Sequence, residues 1–126
     1  MKTPKLLVVE DDSLLAFEMQ DILGDAGYEV VGPAETVAKA LDLIDSNRLD
    51  AAFVDCNLNG EYATAVAMTL DAKSIPFAVV TGYERERLPA AFSKGLFAAK
   101  PFNAARLLEI TRTLLAGRKA VASRDL

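Results

Sequence analysis

The sequence predicts an open, doubly wound α/β domain: one sheet of five parallel strands with helices on both faces. Three observations lead there. Short apolar runs alternate with helix-periodic segments five times along the 126 residues, the signature of successive strand–helix units. The runs are continuously apolar rather than alternating, as strands covered on both faces are. Five units are too few to close an eight-unit barrel, so right-handed crossovers leave the sheet open.

The elements follow in order. Leu6 to Val9 is the first run and stops abruptly at Glu10-Asp11-Asp12. Ser13 is placed to cap a helix on which Leu15, Met19, Ile22 and Ala26 share a face, with Gly24 and Gly27 at its end. Tyr28 to Val31 is the second run, closed by Gly32-Pro33. Thr36 caps the next helix, whose buried face is Val37, Ala40, Leu41 and Ile44, and Ser46-Asn47 breaks it. Ala51 to Val54 is the third run and ends in Asp55, and Asn57-Leu58-Asn59-Gly60 is loop chemistry.

Ala63, Val66, Ala67 and Leu70 mark the third helix. Pro76 opens the fourth run, Phe77 to Val80, which ends at Thr81-Gly82; proline is tolerated at the first residue of a strand. Between Glu84 and Ser93 the helix signal is broken by Pro89, which predicts a short or interrupted helix. Leu96 to Ala99 is the fifth run, ending in Lys100-Pro101. Leu107, Ile110 and Leu114 mark a last helix that Gly117 is expected to end, leaving 118–126 as a tail. The chain therefore reads as one domain, 1–126, with its core over about residues 4–117.

Composition narrows the chemistry. Hydrophobic residues make up 52% and charged residues 25%, which favours a packed core over disorder. A single cysteine, Cys56, excludes a disulfide framework and a multi-cysteine zinc site. With no histidine there is no Ser-His-Asp triad and no histidine-bound zinc. The net charge of −4 disfavours binding through nucleic-acid phosphates. No apolar run reaches the ~18–20 residues of a membrane span, and the N-terminus lacks a signal-peptide pattern, so a cytoplasmic protein with neither nucleic acid nor membrane as partner is expected.

The polar residues gather where the apolar runs end: Glu10, Asp11 and Asp12 after the first, Asp55 after the third, Thr81 at the fourth, Lys100 after the fifth. In open α/β sheets ligands bind beyond the carboxyl ends of the strands, where the strand order reverses. In a sheet ordered 2-1-3-4-5, one of the common doubly wound orders, the reversal lies between strands one and three, and Asp11 faces Asp55 across it. Adjacent carboxylates repel, and without histidine or thiolate partners a hard cation such as Mg²⁺ is the natural counter-ion. Lys100 supplies a positive point charge and Thr81 a hydroxyl donor. A carboxylate nucleophile with a divalent cation, an ammonium and a hydroxyl suits phosphoryl transfer by positioning and charge neutralisation.

With Leu7-Val8-Val9-Glu10-Asp11-Asp12, Val54-Asp55, Val80-Thr81 and Lys100-Pro101-Phe102, the chain resembles the receiver domain of two-component response regulators over about residues 4 to 117. The resemblance implies a flavodoxin-like (βα)5 receiver fold. It implies Asp55 as phosphoacceptor and Asp11 as a direct Mg²⁺ ligand, with Glu10 nearby or acting through water. The backbone carbonyl of Asn57 would be a further ligand. Thr81 would bind the phosphoryl group and shift on its arrival, and Lys100 would pair with phosphoryl or acceptor oxygens. Its bond to Pro101 would be cis. Phe97 stands where the family keeps an aromatic switch residue. The implied partners are a histidine kinase or a histidine phosphotransfer protein upstream and an unidentified protein downstream. The implied state is a monomer or a phosphorylation-dependent dimer, not an enzyme acting on a separate substrate. Pro76-Phe77-Ala78-Val79-Val80-Thr81-Gly82-Tyr83 is similar to the P-F-x-F-A-T-G-Y motif of the FAT GUY subgroup of single-domain receivers, with valines replacing Phe and Ala. That subgroup serves stress-type or branched phosphorelays and has an unusual fourth helix; Tyr83 would then be a partner contact or a lid.

Blander roles compete at some positions. Asp12 suits a helix start, where acid complements the dipole. Cys56 suits a small buried hydrophobe, and Phe97 suits the core. A receiver-fold interaction module independent of phosphorylation is the main alternative, which Asp55→Asn would separate by leaving partner binding unchanged. A Mg²⁺-dependent phosphohydrolase would often carry a second acid two residues after its nucleophile, where this chain has Asn57.

Overall fold

The computed structural model of the chain describes residues 3–82 and 87–124. Among these, seven strands and four helices follow in order: β1 (Lys5–Val9), α1 (Ser13–Asp25), β2 (Glu29–Ala34), α2 (Val37–Ser46), β3 (Ala51–Asp55), β4 (Asn57–Leu58), β5 (Glu61–Tyr62), α3 (Thr64–Ala72), β6 (Phe77–Thr81), β7 (Leu96–Ala99) and α4 (Ala104–Arg124). A 3₁₀ helix, Ala90–Lys94, precedes β7. The main sheet is ordered β2-β1-β3-β6-β7, with all four pairings parallel. Once the β4–β5 hairpin is set aside, this is the expected order 2-1-3-4-5.

Side chains alternate between two cores because successive strand residues point to opposite faces. Leu7, Val9, Ala52, Val54 and Val79 pack with Ala40 and Ile44 of α2 and Val66, Ala67 and Leu70 of α3. Leu6, Val8, Phe53, Ala78 and Val80 pack on the other face with Met19 and Leu23 of α1 and Leu107, Ile110 and Leu114 of α4. Fully burying one such side chain contributes about 1.5–3 kcal/mol. Central β3 is buried along its whole length, which explains its unbroken apolar run.

Four expectations are corrected. Asp12, not Ser13, caps α1, accepting hydrogen bonds from the backbone N–H groups of Leu14 and Leu15; a carboxylate there also meets the positive end of the helix dipole. The buried stripe of α1 is Ala16, Met19 and Leu23, with Leu15 and Ile22 on its margin and Ala26 exposed. β2 does not stop at Gly32-Pro33 but runs to Ala34, through a register irregularity against β1. Between β6 and β7 the short helix expected is the 3₁₀ helix Ala90–Lys94, which Pro89 precedes; residues 83–86 of the predicted segment lie outside the described residues. Finally, α4 continues through Gly117 to Arg124. A helix-interior glycine costs only about 1 kcal/mol relative to alanine, and the flanking Ala116, Arg118 and Lys119 are good helix formers.

Candidate functional site

The carboxyl ends of β1, β3 and β6 bring the strand-end residues together. Glu10 follows β1 directly, and its N–H donates to the Ala34 carbonyl at 2.9 Å, so its side chain turns into the sheet rather than to solvent. It is 2% exposed, and Asp55 is 6% exposed. Carboxylate oxygens of Glu10, Asp11 and Asp55 all lie within 4.8 Å of one another. Lys100, at the end of β7, has its N–H on the Thr81 carbonyl at 2.8 Å. This directs its ammonium to 3.3 Å from Asp55 Oδ2 and 3.0 Å from Glu10 Oε1. The second contact is an ion pair without hydrogen-bond geometry, so Glu10 Oε1 accepts no hydrogen bond from the described residues. The Lys100–Pro101 peptide bond is cis, as the resemblance implies.

Two further groups complete the pocket. β4 and β5 form a tight antiparallel hairpin whose turn residues Asn59 and Gly60 both have positive φ, 53° and 88°. Asn-Gly with both φ values positive is the type I′ signature. The hairpin leans on the site: Asn59 N–H donates to Asp11 Oδ2 at 2.9 Å. Asn57 N–H donates to Asp55 Oδ1 at 3.3 Å, while its own side-chain oxygen accepts from Gly60 N–H at 2.9 Å. On the core side, Cys56 Sγ donates to Thr81 Oγ1 at 3.2 Å.

The electrostatics follow from crowding. Burial, and then the adjacent Asp55, push the Glu10 carboxyl up to about 8. Burial also works against the Asp11 carboxylate, but the Asn59 N–H together with hydrogen bonding to Glu10 and Asp55 holds the carboxyl below its ordinary value. Burial disfavours the Lys100 ammonium, yet Glu10 and Asp55 raise it. Burial pushes the Cys56 thiol up, so it stays protonated. One ammonium thus faces three clustered carboxylates, touching Glu10 and Asp55, and burial makes Glu10 hard to ionise. An all-oxygen cluster short of positive charge matches a hard divalent cation.

The structure therefore brings together Glu10, Asp11, Asp55, Thr81 and Lys100 from four strand ends, with Asn57 beside the acceptor. Phe97 is half-buried on β7, in register with Val79. Tyr83 lies outside the described residues. The Asp12 side chain serves the helix, while its backbone N–H donates to Glu10 Oε2 at 3.2 Å. Sequence reasoning missed the Asn59 N–H and the Cys56 thiol. The Asn59-Gly60 dipeptide is a hairpin signal that could have located the first. Nothing local signals the second, because Cys56 and Thr81 are 25 residues apart.

Comparison with known proteins identifies the family and the fold. The sequence profile of the response regulator receiver domain matches residues 6–112. The solution structure of SdrG from Sphingomonas melonis Fr1 is 33% identical, with a TM-score of 0.75, covering 94% of this chain and 98% of that one. The crystal structure of TrrA from Thermotoga maritima in complex with Mg²⁺–BeF is 25% identical, with a TM-score of 0.79, covering 90% of this chain and 100% of that one. The transcriptional regulatory protein PdtaR of Mycobacterium tuberculosis is 27% identical over 108 residues, 82% of this chain and 53% of PdtaR. The chain thus spans about half the length of the curated relatives it matches.

Proposed function

The chain belongs to the response regulator receiver domain family, and on that premise we propose that it accepts a phosphoryl group on Asp55 from a phosphohistidine and signals through the resulting change of shape or passes the group onward. The observation that carries this reading is the Asp55 carboxylate at the end of the central strand, 3.3 Å from the Lys100 ammonium and beside two further carboxylates. The phosphodonor would be a histidine kinase or a histidine phosphotransfer protein. An Asp55 oxygen attacks phosphorus in line as the phosphorus–nitrogen bond breaks, and the departing imidazole keeps the electron pair and takes a proton. Hydrolysis of the acyl phosphate returns inorganic phosphate and the free carboxylate.

Glu10, Asp11, Asp55 and the Asn57 carbonyl would hold Mg²⁺, which when bound supplies charge neutralisation to the equatorial phosphoryl oxygens. Lys100 is placed to follow the charge from the carboxylate to the phosphoryl group. The Thr81 hydroxyl donates to the same group, and Phe97 shifts with it, altering the surface of β6 and β7 as a population shift. The short 3₁₀ helix Ala90–Lys94 after Pro89 is in keeping with the unusual fourth helix of the FAT GUY subgroup, with Tyr83 as partner contact or lid.

The test is incubation with Mg²⁺ and acetyl phosphate, read by intact mass. One phosphoryl adduct is expected, lost in Asp55→Asn and on addition of EDTA. If neither acetyl phosphate nor a phosphorylated histidine kinase or phosphotransfer protein yields an adduct, the reading fails.

A further inference from the structure

We propose that Cys56 is a positioning residue for this transfer: its thiol holds the Thr81 hydroxyl and so sets how readily that hydroxyl turns to a phosphoryl group on Asp55. The inference rests on the phosphoacceptor reading and deepens it. Cys56 and Thr81 are 0% and 1% exposed, so no solvent replaces the Sγ–H to Oγ1 contact of 3.2 Å when it breaks.

Both ends of the contact are fixed by backbone. The Cys56 carbonyl accepts from Ala63 N–H at 2.8 Å, and the buried side chain belongs to the core cluster on the α2–α3 face. Close packing there leaves the sulfur little room to follow the hydroxyl. Thr81 is paired with Ala99 at the end of β6 and its carbonyl is held by Lys100 N–H, so any movement of its hydroxyl is a rotation about χ1. Threonine occupies discrete staggered wells, and moving from one to another carries Oγ1 off the sulfur. A thiol is a weak donor, which suits a restraint that has to release. Cys56 thus couples the segment that carries the acceptor to the hydroxyl that reads it.

The test is a calorimetric titration of the full chain with beryllofluoride, a phosphoryl mimic, in saturating Mg²⁺. Cys56→Ala and Cys56→Val both remove the donor, and valine keeps the cavity filled. Each should bind about threefold tighter, the low end of what a net hydrogen bond contributes. Cys56→Ser, which keeps a donor, should stay with the wild type. In a Thr81→Val background the Cys56 substitutions should have no effect, a coupling that a purely packing role would not produce. Unchanged or weaker binding by Ala and Val, or an effect that survives without the Thr81 hydroxyl, overturns the inference alone. A wild type that binds no beryllofluoride overturns the phosphoacceptor reading and this inference with it.

Discussion

Burial and the neighbouring Asp55 move the Glu10 carboxyl from its ordinary 4.5 up to about 8, which makes its contribution to folding depend on pH. Between those values the folded chain holds a proton that the unfolded chain has released. Stability from this group is therefore fully present below about 4.5 and falls as pH rises towards about 8. Asp11 lies outside this window, since its lowered value costs stability only in acid, and Lys100, raised above 10.5, acts only at the alkaline end. Thermal melts in EDTA across this range should show Tm declining with pH, Glu10→Gln should remove the decline, and Mg²⁺ should flatten it. A Tm that rises with pH in EDTA, or a slope unchanged in Glu10→Gln, would contradict this account. The acids at the strand ends were legible in the sequence because a continuous apolar run that stops on a carboxylate marks a strand's carboxyl end. What the sequence hid is partnership across the sheet: the thiol of Cys56 on Thr81 and the Asn59 N–H on Asp11 depend on register, which only the pairing of β1, β3 and β6 determines.

The β4–β5 hairpin and the kinked end of β2 both depend on a glycine, and their costs should differ. Gly60 has φ +88° and open space for 4 Å around the point where a Cβ would sit, so Gly60→Ala meets only the backbone penalty, about 1–2 kcal/mol. Gly32, at φ +99°, would place a Cβ 2.9 Å from both the Ala34 nitrogen and the Val8 carbonyl oxygen. Gly32→Ala should therefore be the more destabilising of the two by urea denaturation, and equal costs would refute the steric argument. This is also where sequence reading fell short. Gly32-Pro33 looks like a strand terminator, yet here glycine is what lets β2 bend across the β1 backbone and continue. Gly117 looks like a helix stop, yet its neighbours carry α4 past it. Asn59-Gly60 reads as loop, although the same dipeptide specifies a two-residue hairpin.

Across the whole molecule, the acidic cluster lies at one end of the sheet and the two apolar cores on its faces. Phe53 is 1% exposed at the centre of β3, packed against the α1–α4 layer. Phe53→Ala should cost about 3–5 kcal/mol, a large share of the ~5–15 kcal/mol that holds a domain together. Phe17→Ala on the outer face of α1, 65% exposed, should shift stability by no more than about 0.5 kcal/mol. Chemical denaturation of the pair checks the assignment of inside and outside, and a Phe17→Ala cost approaching that of Phe53→Ala would refute it. The open parallel sheet was legible at this scale from five consecutive strand–helix units, whereas its order was taken from a common doubly wound arrangement, and the observed layers follow from period-two alternation along each strand.

The hydrogen bond from Asn59 N–H to Asp11 Oδ2 has a spectroscopic consequence. Among the described contacts, that amide is the backbone proton of the hairpin turn tied to the acidic cluster, while Gly60 N–H is tied to Asn57 instead. Its proton resonance should thus move whenever charge at Asp11 is withdrawn by a cation, and its exchange with deuterated water should track the state of the pocket.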